Sequence, residues 1–262
     1  MNNPIKEKKD VIIKSLDRTL EIVELLAATP QSMSVQQLSE ALNVNRTTLY
    51  AALNTLCNRQ FIEKDPLDGR FSIGSRMYEI GLKYKYKFPF VPAAERQAKK
   101  LFLQFGHQIN LSIFQHPDIA LSLISEFSNS YIPFLTPSYY ILPAHASAVG
   151  KVLLAGKTDK ELESIISRIT FKQYTPSTIT SKEALLEELY KCRENGYAVD
   201  HEEYSDCINC IAVPIRDYQS NVIAGFSISC MTEDYLNENF NELKEAIISG
   251  ARQISLSIGW RP

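Results

Sequence analysis

The chain contains no stretch of 18 uncharged apolar residues, so no segment is expected to cross a bilayer as a helix. The lysines in its opening MNNPIKEKKDVIIKSLD are not followed by the apolar run of a signal peptide. Cysteine is sparse. The five, at 57, 192, 207, 210 and 230, are odd in number and form no dense framework, which excludes a disulfide-built secreted scaffold. The expectation is a cytoplasmic protein with no membrane attachment. Neither sign of charge prevails: Lys plus Arg number 28 and Asp plus Glu 30, a net of −2. That excludes a uniformly basic coat for nucleic acid but leaves room for a basic patch. Catalytic motifs are missing too. There is no GxSxG elbow, no Walker A loop and no GxGxxG, and the histidines at 107, 116, 145 and 201 lack HExxH spacing. No repeat or low-complexity segment occurs.

What is present is an ordinary globular composition, with enough residues for one large domain or two modest ones. The charge is unevenly spread. Residues 1–90 carry 13 basic against 10 acidic side chains, and the remainder 15 against 20. A small basic unit ahead of a larger acidic one suits a nucleic-acid-binding head on a body with another task. The segment FPFVPAA at 88–94 marks the boundary, because its two prolines end any helix arriving from Met77–Lys87.

In the first unit, Leu16, Leu20, Val23 and Ala27 have helical spacing, and Pro30 closes that helix. Ser34 with Gln37 forms a capping box for a second helix with Val35, Leu38 and Leu42 inside. Asn45 caps a third, whose inner face is Leu49, Leu53 and Leu56. Phe61-Ile62 and Phe71–Ile73 then read as two strands around a tight Asp68-Gly69 turn. Three helices and a hairpin make a winged helix-turn-helix. The outer face of the third helix would show Arg46, Thr47, Thr48, Tyr50, Ala51 and Asn54, residue types that read base edges or hold phosphates. Lys64 and Arg70 on the wing can reach backbone or minor groove. A winged domain of this kind also serves as a protein-interaction module, which leaves a second reading open.

The second unit reads as helices alternating with strands, partly antiparallel, in an α+β or α/β sandwich. Expected strands are 108–114, 119–125, 197–201, 210–215 and 221–229, and expected helices 93–106, 145–155, 159–167, 182–195 and 236–258. The small residues Ala146, Ser147 and Ala148 at a helix start offer free N–H groups to a carboxylate. Ser227 and Ser229 alternate on one strand face and can share a cavity. His201, Cys207 and Cys210, with His145, have metal-ligand chemistry, but one CxxC without a partner pair is weak, and no metal or cofactor is expected. A buried core role for Cys210 is the simpler reading. A metal- or thiol-responsive regulator using Cys207 and Cys210, and an enzyme acting on a small metabolite, remain as alternatives.

The pieces KSLDRTLEIVELL, DGRFSIGSRMYEIG, LPAHASAVGKVLLAG, YTPSTIT, RENGYAVDHEE and CIAVPI…NVIAGFSIS, in this order and spacing, resemble the IclR family of bacterial transcription regulators from about Lys14 to Ile258. The resemblance implies a winged head over 1–75 that binds double-stranded operator DNA, a linker helix over 76–92, and a GAF-like α/β effector-binding domain over 93–262. It implies a non-enzymatic regulator, a homodimer or dimer of dimers, and a small effector of the organic-acid or aromatic class. Carried over residue by residue, the effector pocket would be lined by Ala148, Val149, Asp200, Ile208, Cys210, Ser227 and Ser229, and closed by Tyr131 and Phe134. Departures from the family pattern are Cys207 and Cys230 at usual glycine positions, Asn209 where arginine is frequent, and a bulkier Val149. Without that arginine, a strongly anionic ligand is less expected at this edge.

Overall fold

A computed structural model of the chain describes residues 13–116, 118–126, 141–237 and 240–262. Contacts divide the chain into two compact units, Met1–Lys87 and Phe88–Pro262.

The first unit comprises α1 (Lys14–Ala28), α2 (Val35–Leu42), α3 (Arg46–Asn58), β1 (Ile62–Lys64), β2 (Phe71–Ile73) and α4 (Ser75–Tyr86). Both halves of the Ser34–Gln37 capping box form, so α2 starts where its own side chains satisfy the orphan N–H groups. Asn43 adopts left-handed backbone at φ 51, and with Val44 and Asn45 it turns the chain from α2 into α3. The Asn45 side chain accepts the Thr48 N–H at 2.8 Å, fixing where α3 begins. Leu49, Leu53 and Leu56 pack with Leu38, Val44, Ile22, Leu26, Ile62 and Phe71 in one small core.

Three details of this unit differ from the sequence reading. The buried stripe of α1 is Ile22 and Leu26, whereas Leu16 and Leu20 are exposed. The helix carries apolar residues on more than one face, so periodicity alone selects no single stripe. The wing connection is also longer than a two-residue turn and takes in residues 65–70. Asp65 O accepts from Gly69 N, and Asp65 N donates to Arg70 O, with Gly69 at φ 72. Phe61 precedes β1 rather than belonging to it.

The second unit runs α5 (Val91–Phe105), β3 (Gln108–His116), β4 (Ile119–Glu126), β5 (Ile141–Pro143), a 3-10 turn (Ala144–Ala146), α6 (Ala148–Ala155), α7 (Asp159–Ile166) and α8 (Lys182–Asn195). It continues through β6 (Ala198–His201), β7 (Ile208–Arg216), β8 (Val222–Met231), α9 (Thr232–Asn237) and α10 (Phe240–Ser257). The strands form one sheet in the order β5-β4-β3-β8-β7-β6. Every pairing is antiparallel, where only part of the sheet was expected to be. The cause is connectivity: β3–β4 and β7–β8 are joined as hairpins, which impose opposite directions. Helices α5 and α10 cover one face, packing Ala94, Ala98, Leu101, Leu243 and Ile247 on Ile109, Leu111, Phe226 and Ile228. On the other face α6 sets Val149, Val152 and Leu153 against Ala120 and Ala212, backed by Cys192 of α8.

α6 starts three residues later than His145. Ser147 is extended at φ −141, and its side chain accepts the Gly150 N–H as the cap. A Cβ on Gly150 would lie 2.4 Å from Ala144 Cα, so only glycine lets α6 approach the preceding turn this closely. The closing helical region is described as α9 and α10, and the residues between them, 238–239, lie outside the described residues.

Candidate nucleic-acid interface and effector cavity

On α3, Leu49, Leu53 and Leu56 face inward, which leaves Arg46, Thr47, Thr48, Tyr50, Ala51 and Asn54 in solvent on one connected surface. Arg46 occupies the first helical position. A cation there opposes the positive end of the helix dipole, so helix stability does not explain it. Exposed there, its guanidinium has the chemistry to meet a phosphate or a guanine edge. On the wing, the Lys64 ammonium is exposed and lies 5.7 Å from the centroid of the Phe71 ring. Arg70 is partly committed within the unit: its Nη1 donates to Ser32 O at 3.2 Å, and its Nε sits 3.5 Å from Asp68.

In the second unit, strand β3 is buried on both faces but for different reasons. Ile109, Leu111 and Ile113 join the core under α5 and α10, while Gln108, Asn110 and Ser112 point to the α6 side. Antiparallel register extends this polar face across the sheet. Gln108 lies opposite Ser229, Ser229 opposite Cys210, and Cys210 opposite Asp200. Asn110 and Ser227 form the neighbouring pair. Between this face and the start of α6 is a cavity of about 80 Å³. Ala148, Val149, Asp200, Ile208, Cys210, Ser227 and Ser229 all line it. Tyr131 and Phe134 lie outside the described residues. Ser147, singled out in the sequence at the helix start, also lines the cavity, as do Gln108, Asn110, Ser122, Leu142, Tyr204 and Ser205, which were not picked out from sequence. A signal existed for β3: the polar-apolar alternation of QINLSIF marks a second buried face. A groove beside Phe114, Lys157 and Ser164 is larger, at about 470 Å³, but it is open to solvent and edged by the exposed Lys160 and Glu161.

Asp200 is the one charged residue in the cavity lining among the described residues. It is 4% exposed. Burial, reinforced by the nearby Glu203 carboxylate, pushes its pKa up to about 7, although the Glu203 N–H donates to Oδ1 at 2.7 Å. Behind it lies a buried ion pair. Lys151 of α6 is 1% exposed and sets its Nζ 2.5 Å from Glu203 Oε1, with Glu188 at 4.0 Å. The YTPSTIT segment fastens the turn that carries Glu203: Thr175 Oγ1 donates to Glu202 O, and Thr178 Oγ1 to Glu203 O, each at 2.6 Å.

The cysteines do not assemble into a reactive centre. Cys210 is half-buried and its Sγ donates to the Ser229 hydroxyl; desolvation pushes its thiol well above the ordinary range, so it carries no thiolate at neutral pH. Cys207 is exposed at φ 64, the left-handed backbone that favours glycine. Among the described residues, no three His, Cys, Asp or Glu side chains are grouped to hold a metal. No described helix is long and apolar enough to cross a membrane.

Comparison with known proteins agrees with both halves. Residues 15–66 match the IclR helix-turn-helix domain, and residues 84–256 match the C-terminal domain of the bacterial transcriptional regulator IclR. The chain is 30% identical to the HTH-type transcriptional repressor AllR of Escherichia coli K12, covering 94% of this chain and 90% of AllR. It is 27% identical to the E. coli regulator XynR, over 95% of this chain and 98% of XynR. Its fold matches the IclR of Thermotoga maritima with a TM-score of 0.84 at 26% identity, covering 95% of this chain and all of that one. An IclR homologue from Microbacterium hydrocarbonoxydans, complexed with 4-hydroxybenzoate, shares the fold at TM-score 0.81 and 21% identity, over 93% of this chain and 98% of its own. These relatives are regulators rather than enzymes. The winged head, the antiparallel sheet with its α6-side cavity, and these matches together place the chain in the IclR family of bacterial transcriptional regulators.

Proposed function

We propose that this regulator is a cytoplasmic repressor that works as a homodimer or dimer of dimers. Two α3 helices would read operator half-sites, and a small polar ligand in the α6-side cavity would set their spacing. The observation that carries the reading is the convergence of Asp200, Cys210, Ser227, Ser229 and the α6 start on one cavity, in a chain whose other unit presents an exposed α3 face. Arg46, Thr47, Thr48, Tyr50 and Asn54 are assigned to bases and phosphates, with Lys64 on the wing and Arg70 as wing brace and phosphate contact. The sense of regulation follows the AllR relatives, which are named repressors. Self-association is supported by exposed apolar side chains, namely Ile13 at the N-cap of α1, Leu16 and Leu20 on α1, and Ile80 on α4. Because half-sites have fixed helical spacing, a small rearrangement of two heads changes operator affinity strongly. The 4-hydroxybenzoate held by the Microbacterium homologue supports an effector with a carboxylate, which the Ala148 and Val149 N–H groups suit.

Asp200→Asn tests the cavity's role. Asparagine keeps the oxygen that accepts the Glu203 N–H but cannot ionise. The variant is expected to bind operator normally without ligand and to lose the ligand-induced change in affinity. Loss of both would indicate a damaged fold and contradict the assignment. Stability provides the control. Because the folded-state pKa of Asp200 is raised, keeping it neutral contributes stability that is complete below about pH 4 and lost as pH rises through about 7. Asp200→Asn should therefore melt above wild type at pH 8, with the gain vanishing at pH 4.

A further inference from the structure

Resting on the effector reading, we infer that Gln108 is a specificity residue that requires an O–H or N–H donor on the ligand. Gln108 is 8% exposed, and it lines the cavity at the β3 end of the row that runs through Ser229 and Cys210 to Asp200. Its amide is oriented by neighbours. Nε2 donates to Asn110 Oδ1 at 2.8 Å and to Ser125 Oγ at 2.5 Å. Ser125 Oγ spends its own proton on Asn110 Oδ1 at 2.7 Å, so it can only accept from Gln108. Asn110 Nδ2 in turn faces Ser229 Oγ at 3.4 Å. In this arrangement Gln108 turns its Oε1 away from Asn110 and Ser125, and that oxygen is buried with no hydrogen-bond partner among the described residues.

A buried amide oxygen left unpaired costs about 1–3 kcal/mol, and such an atom in a binding cavity marks where a donor is expected. The rest of the lining accounts for the other end of the ligand. Ser229 Oγ accepts from Asn110 Nδ2 and Cys210 Sγ and keeps its own proton for the cavity. The Ala148 and Val149 N–H groups lie in the first turn of α6. Among the described residues no cation lines the cavity to fix a strongly anionic ligand, and Lys151, the buried cation nearby, is paired with Glu203. The ligand class is therefore a small, mostly neutral or singly charged molecule. It has a carboxylate or carbonyl acceptor at the α6 end and a hydroxyl or amide donor at the Gln108 end.

The test uses matched pairs that differ by one hydroxyl: glycolate against acetate, lactate against propionate, and 4-hydroxybenzoate against benzoate. Binding to the full-length protein is followed by calorimetry and by change in operator affinity. In at least one pair the hydroxylated member is expected to bind ~10-fold tighter or more, as one hydrogen bond to a site built for it allows. In Gln108→Met, which keeps length and removes the acceptor, that preference should disappear while ligand-free operator binding persists. Equal binding of both members of each pair overturns the role of Gln108 and leaves the effector reading intact, since water then satisfies the amide. A preference that survives in Gln108→Met overturns it as well. Failure of all six compounds to bind, in wild type and variant alike, overturns the ligand class.

Discussion

Replacing Arg46 by alanine is expected to weaken operator binding by about 5- to 150-fold at fixed salt, the equivalent of ~1–3 kcal/mol for one bidentate contact. The argument starts from helix physics. Arg46 is the first residue of α3, where a cation is disfavoured by the helix dipole. It is exposed, so it contributes no packing to the Leu49–Leu53–Leu56 core. Alanine there should leave the head folded, or slightly more stable, and melting of the variant checks that directly. Binding of wild type and variant to one operator duplex, measured at two salt concentrations, separates the contact types. Loss of a phosphate contact lowers the salt slope and weakens all sequences alike, whereas loss of a base contact relaxes preference at one position. An unchanged dissociation constant removes Arg46 from the interface.

The largest effect on stability is expected at Glu203. Glu203→Ala strands the Lys151 ammonium, which is 1% exposed, with only the half-exposed Glu188 within 4.0 Å. Breaking a buried pair this way costs ~3–5 kcal/mol, because the remaining charge loses both water and partner. That is a large share of the ~5–15 kcal/mol that stabilises a typical domain, and it corresponds to a melting temperature lowered by roughly 6–20 °C. The double variant Lys151→Met with Glu203→Leu is expected to recover most of the loss, since an apolar pair of similar volume carries no desolvation penalty. Thermal melting of Lys151→Met, Glu203→Leu and the double closes the cycle. A Glu203→Ala melting temperature equal to wild type would show that the pair is not what holds α6 to the Asp200–Glu203 turn. The pair also bears on function, because the Glu203 carboxylate is one of the groups that raise the pKa of Asp200.

The head was legible in the sequence because its signals are local. Ser34 and Gln37 specify a cap three residues apart, Asn45 specifies the next, and the leucines of α3 fall on one stripe. The α1 stripe was misread for an equally local reason. Ile22 and Leu26 share the helix with Leu16 and Leu20, and the choice between the two faces is made by partners distant in the chain. In the body, Ala148, Val149, Asp200, Ile208, Cys210, Ser227 and Ser229, taken from family motifs, line one cavity, while Tyr131 and Phe134 lie outside the described residues. The polar face of β3 was passed over because Gln108 and Asn110 acquire meaning only when β8 and β7 pair beside them. The Lys151–Glu203 pair lies inside two of the motif segments, HASAVGK and VDHEE, yet nothing in either segment shows that they meet. Their contact depends on α6 packing across the sheet from the β6–β7 turn.

The measurement that bears most directly on the account is selection of duplexes by the full-length protein from a random-sequence pool at fixed salt. Competition of the enriched sequence against scrambled DNA then gives the preference. The account predicts a two-half-site motif bound about 10³-fold or more tighter than scrambled DNA. Retention without enrichment, abolished by salt equally for every sequence, would contradict it and leave the winged head as a protein-interaction module.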